Sequence, residues 1–130
     1  LRFVQKLIRF NLEQEFFQET HYWNSPTNLG GSQCLFSGVK VWEPDFSYHS
    51  RTLAYSLRNP KHEKWLYVMI NAYWEHLDFE IPKPKGGRPW HRIINTAASS
   101  PRDFSEPEQA PLIRGEKVYV NARSIVVLMS

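Results

Sequence analysis

At 130 residues the chain is the size of one domain, able to bury a single core but not a core together with a large catalytic cleft. Its 42% hydrophobic and 22% charged residues exclude a disordered chain. The net charge of +3 comes from 16 basic and 13 acidic residues scattered among one another, which excludes a dense nucleic-acid-binding patch. Even the basic tract "KPKGGR" at 83–88 reads as a solvated hairpin tip.

From Leu1 to Phe17 the residues Leu1, Val4, Leu7, Ile8 and Leu12 recur at spacings of three and four, which predicts a helix with one apolar face, widened by Phe3 and Phe10. A face so broad must dock on something large. No Ser, Asp or Asn cap precedes Leu1 and no methionine opens the chain, so the expectation is the end of a longer protein. The turn formers of "NSPTNLGGSQ" at 24–33 then predict a linker.

Seven runs rich in Val, Ile, Tyr and Trp follow: "LFSGVKVW", "RTLAYSLR", "WLYVMINAY", "HLDFEI", "WHRIIN", "EKVYVN" and "SIVVLM". Short strands separated by Pro, Gly, Asn and Ser predict an antiparallel sandwich or barrel. In the second run Leu53, Tyr55 and Leu57 face one way and Thr52, Ala54 and Ser56 the other, as expected of a half-buried strand. In the third, Leu66, Val68 and Ile70 make one face and Trp65, Tyr67 and Met69 the other, so both sides are expected to be buried. In the fourth, Leu77, Phe79 and Ile81 are expected to point inward and Asp78 and Glu80 into water. Residues 95–114, with Pro101, Pro107 and Pro111 and no alternation, predict a long surface loop and a candidate contact surface.

Chemistry is hard to place on this frame. Glu43 with Asp45, Asp78 with Glu80, and Glu106 with Glu108 all read as solvated charge rather than as catalytic pairs. The five histidines are dispersed without metal-ligand spacing, and neither Gly30-Gly31 nor Gly86-Gly87 joins a strand to a helix as a phosphate loop does. The lone Cys34 reads as a small buried hydrophobe; it can form no internal disulfide, which implies a reducing compartment. No apolar run reaches the roughly 18 residues of a membrane span. No catalytic residue, metal or cofactor is therefore expected, nor a nucleic-acid or membrane partner. The remaining candidates are aromatic: Tyr73 and Trp74, where the alternation of the third strand stops, and also Trp42 and Trp90, as stacking platforms for a sugar. The other expectation for "NAYWE" is that it closes the fold and packs toward a neighbouring domain.

The order "RFVQKLIRF", "GVKVWEPDFSYHSRTLAYSL", "LYVMINAYWEHLDFEIP", "WHRIINTAASSPRDF" and "YVNARSIVVLM" resembles the C-terminal end of isoamylase-type glycogen and starch debranching enzymes of the α-amylase superfamily. The resemblance implies a mainly β fold: a Greek-key type antiparallel β-sandwich preceded by one N-terminal α-helix. Residues 1–22 would be the last helix of a (β/α)8 catalytic barrel and its exit, 23–34 a linker and 35–130 the sandwich. It implies a parent that hydrolyses α-1,6-glucosidic branch points by a retaining route, with every catalytic carboxylate outside this chain. The implied partners are the barrel and, by stacking, α-glucan; the implied location is bacterial cytoplasm, or the plastid in a plant. Phe36, Phe46, His76 and Asn95 depart from the residues usual in that family.

Overall fold

The computed structural model describes residues 1–14, 33–59, 64–84 and 87–130. One helix, α1 (Arg2–Glu13), precedes seven strands: β1 (Gln33–Ser37), β2 (Thr52–Asn59), β3 (Lys64–Asn71), β4 (Leu77–Glu80), β5 (His91–Asn95), β6 (Lys117–Val120) and β7 (Ser124–Met129). Five form an antiparallel sheet in the order β1-β2-β3-β7-β5, and β4 pairs with β6 in a second sheet of two strands. The fold is thus a β-sandwich whose chain crosses to the small sheet twice, so that β7 returns between β3 and β5.

All seven expected strands are present, with shorter bounds in places. The first run ends at Ser37 because Gly38 starts a turn in which a Cβ would lie 2.7 Å from the Glu43 carbonyl oxygen. The helix stops at Glu13, where Gln14 is already extended at φ −90° and ψ 125°. Residues 15–17 and most of the expected linker lie outside the described residues.

β3 sits at the centre and is covered on both faces, as its two alternating apolar sets require. Trp65, Tyr67 and Met69 join Phe79, Ile81, Trp90, Val118, Val120, Val126 and Leu128 in the core between the sheets. Leu66 and Val68 join a second core with Leu57, Ile93, Ile94, Phe104, Val127 and Phe10 of α1. The large sheet is therefore the middle of three layers.

That arrangement corrects the reading of β2. Ala54 and Ser56, on the face that alternation would send to solvent, are buried at 0% and 1% exposure, with Ala54 in the inter-sheet core. Leu57 and Tyr55 face the helix-side core instead. Both faces are covered, and the small side chains lie against the second sheet. In β5 a bulge between Arg92 and Ile94 inserts Ile93, which lets Ile93 and Ile94 enter the same core despite being sequence neighbours.

The segment 95–114 is a loop with more structure than its prolines suggest. Its backbone runs beside β5: Asn95 N–H donates to Asp103 O at 3.0 Å, Ser105 N–H to Ile93 O at 2.8 Å and Arg92 N–H to Pro111 O at 2.9 Å. These bonds cover the outer edge of β5, which would otherwise offer an unpaired ladder.

Candidate functional site

The corner after β3 is organised by a buried amide. Asn71 is 1% exposed, and its Nδ2 lies 2.9 Å from Glu75 O and 3.2 Å from both Val120 O and Asn121 O, while its Oδ1 accepts the Tyr73 N–H at 3.0 Å. One side chain thereby ties the β3–β4 corner to the end of β6. Beyond it Tyr73 and Trp74 stack on each other, with centroids 4.3 Å apart and planes 27° apart. Tyr73 is half-buried, but Trp74 is 66% exposed and projects beyond the closed corner.

The other two tryptophans proposed as stacking platforms have opposite fates. Trp90 is core: it is 1% exposed, lies 4.8 Å from the Trp65 ring, and its indole N–H donates to Pro82 O at 2.8 Å. A ring so enclosed has no face for a sugar, because the position between a proline turn and β5 points it between the sheets. Trp42 is 48% exposed and holds a left-handed backbone at φ 63°, with its N–H donating to Ser37 Oγ at 2.9 Å. It lines an open groove of about 720 Å³ with Trp65, Glu80, Lys83, Glu116 and Lys117. Trp42 and Trp74 do not share a platform: the groove lies at the Glu80–Lys117 end of the β4–β6 ladder, and the corner lies beyond its Leu77–Val120 end.

A third site joins α1 to the 95–114 loop, which was expected to be a contact surface, though residue patterning did not single out α1 as what it contacts. The Arg2 guanidinium donates to Asp103 Oδ1 at 2.7 Å, Phe104 O at 2.9 Å, Pro101 O at 3.0 Å and Ser100 Oγ at 3.4 Å. Lys6 adds an ion pair to Glu106 at 3.3 Å. Phe104 is buried and meets Phe3 and Phe10 edge to face, at centroid distances of 5.8 and 6.0 Å. A lone phenylalanine in a Pro/Ser-rich loop was the one available signal. With Phe3 and Phe10 used in this way, the stripe Leu1, Val4, Ile8 and Leu12 is left exposed on the opposite side of α1.

The carboxylates are dispersed rather than convergent. Asp45 Oδ1 accepts the Ser47 N–H at 3.0 Å, and this bond, with the Ser47 hydroxyl, holds its pKa below the usual carboxylate value. Glu80 Oε2 accepts the Val41 N–H at 3.3 Å, so it is half-buried where water was expected to surround it, whereas Asp78 is exposed. Burial pushes the Cys34 thiol up, away from the reactive thiolate. Among the described residues no group of three or more His, Cys, Asp or Glu side chains could hold a metal ion, and no helix is long and apolar enough to cross a membrane. Phe36 and Phe46, two of the departures from the usual family residues, meet edge to face at 5.6 Å.

Residues 41–129 match the family described as "Isoamylase, C-terminal". The chain belongs to that family. It is 24% identical over 127 residues to isoamylase 3, chloroplastic, of Oryza sativa subsp. japonica, covering 98% of this chain and 15% of the rice protein. It is 35% identical over 69 residues to an isoamylase of a Flavobacterium species, covering 50% of this chain and 9% of that protein. This isoamylase C-terminal domain therefore spans less than a sixth of either relative's length. The family match begins after β1, so α1 and the first strand lie outside it.

Proposed function

We propose that this chain is a noncatalytic C-terminal domain of a glycogen- or starch-debranching enzyme, and that it supports the catalytic barrel by docking through α1. The observation that carries this reading is the divided helix. One side is pinned to the sandwich through Arg2, Phe3 and Phe10, and the other presents Leu1, Val4, Ile8 and Leu12 with no covering layer among the described residues. Residues 1–22 then belong to the barrel as its last helix and exit, 23–34 to the linker and 35–130 to the sandwich. Each 100 Å² of apolar surface covered there contributes about 2.5 kcal/mol before ordering costs.

The parent hydrolyses α-1,6 branch points with carboxylates that lie elsewhere, and its compartment is bacterial cytoplasm or, for a plant enzyme, the plastid. The test has two parts. The purified 130-residue chain, incubated with a branched glucan, should release no new reducing ends, and release would overturn the noncatalytic assignment. In the parent enzyme, Val4→Lys with Ile8→Lys should lower the melting temperature and the yield of active protein, while in the isolated chain the same pair leaves stability nearly unchanged. Unaltered parent stability would overturn the docking.

A further inference from the structure

We propose that the groove beside Trp42 binds a neutral oligosaccharide, with the Trp42 ring as its stacking wall and Glu80, Lys83, Glu116 and Lys117 as partners for hydroxyl groups. The starting point is a backbone oddity. A bulky residue at φ 63° is rare because its Cβ crowds the following carbonyl, and a turn with no need of the ring would place glycine there. Instead the chain keeps a tryptophan, locks its N–H onto Ser37 Oγ at 2.9 Å, and leaves the ring 48% exposed over a concave surface. Retained strain of this kind accompanies functional sites.

The polar lining then selects the ligand. Two carboxylates and two ammonium groups line the groove, and Glu80 stands directly across the ladder from Lys117. None of the four is in an ion pair with another described residue, and Glu80 gives one oxygen, Oε2, to the Val41 N–H at 3.3 Å. An anionic ligand would face Glu80 and Glu116, and a cationic one Lys83 and Lys117. A polyol suits both signs, because each hydroxyl donates to a carboxylate and accepts from an ammonium group. The indole face completes the match, since the C–H face of a sugar ring packs on an aromatic plane. A volume of about 720 Å³ is in the range of ligand clefts with an apolar wall and a few placed polar groups.

That the oligosaccharide is an α-glucan rests on the proposed function; that it is a neutral sugar rests on the groove alone. The test is a titration of the isotope-labelled 130-residue chain with maltoheptaose, cellohexaose and inorganic phosphate, followed by backbone and indole N–H signals. Maltoheptaose should shift Trp42 and its groove neighbours, and Trp42→Gly should weaken binding at least tenfold. Glycine accepts φ 63° without strain, so that variant folds and the loss reports the ring. Trp74→Ala should leave the affinity within twofold. Absence of shifts at millimolar sugar, binding unaffected by Trp42→Gly, or phosphate binding in place of sugar would each overturn the groove. Preference for cellohexaose would uphold the groove and overturn the α-glucan assignment.

Discussion

Replacing Phe104 with alanine should detach α1 from the sandwich. The ring is 2% exposed and is flanked edge to face by Phe3 and Phe10, so it is both core filler and the main apolar contact of the helix. Removing a buried phenylalanine costs about 3–5 kcal/mol, a range that already contains the two ring pairs at roughly 0.5–1.5 kcal/mol each. A domain of ordinary stability, about 5–15 kcal/mol, survives this loss overall. The helix does not survive it as easily, because a 12-residue segment lies at the lower limit for a stable helix in water. Urea unfolding of Phe104→Ala, followed at once by 222 nm circular dichroism and tryptophan fluorescence, should show helical signal lost before the sandwich unfolds. Arg2→Gln, whose side chain is partly solvated, should act in the same direction at about 1 kcal/mol. Full helical signal in Phe104→Ala together with a destabilisation under about 1 kcal/mol would refute the reasoning.

The tryptophans separate by burial: Trp90→Ala should cost about 3–5 kcal/mol and Trp74→Ala under about 1 kcal/mol in denaturant melts, since only Trp90 is enclosed. Gly38→Ala should cost about 1–3 kcal/mol by the same measurement, because its methyl group would meet the Glu43 carbonyl at 2.7 Å and the obstacle is backbone. Burial raises the Tyr67 hydroxyl above its ordinary value of 10.0, so the native state holds that proton more tightly than the unfolded chain. Its contribution is complete below pH 10 and is lost as pH rises through the native value. A stability-against-pH curve should therefore fall above pH 10, less steeply in Tyr67→Phe.

The strands were legible where residue type and alternation agreed. β3 announced burial on both sides by carrying large apolar residues at odd and even positions alike, and that placed it at the centre. β2 misled because Ala54 and Ser56 are small rather than solvent-seeking, and alternation cannot tell a face that admits a second sheet from one that faces water. Trp90 and Trp74 look equivalent as exposed-turn candidates, yet a carbonyl at Pro82 and a gap between sheets decide their fates, and both are tertiary facts. The helix was legible as amphipathic, but not the use of its minor edge, Phe3 and Phe10, for the sandwich. That choice depends on Phe104, about a hundred residues away in sequence.

Of the candidate sites, Tyr73, Trp74 and Trp42 were visible as aromatics at strand ends. The charged groove around Trp42 was not, because Trp42, the Glu80–Lys83 stretch and the Glu116–Lys117 pair come from three separated segments. The bulge at Ile93 likewise leaves no mark in the residue pattern.

The central claim is that the exposed stripe of α1 is an internal surface of a larger enzyme, and labelling tests it most directly. Ile8→Cys should react rapidly with a thiol reagent in the isolated chain, where Ile8 is 56% exposed, and should be protected in the parent enzyme. Peptide mapping separates its signal from that of Cys34. Protection of at least tenfold in the parent is the predicted result; equal reaction rates in the two proteins would contradict the account.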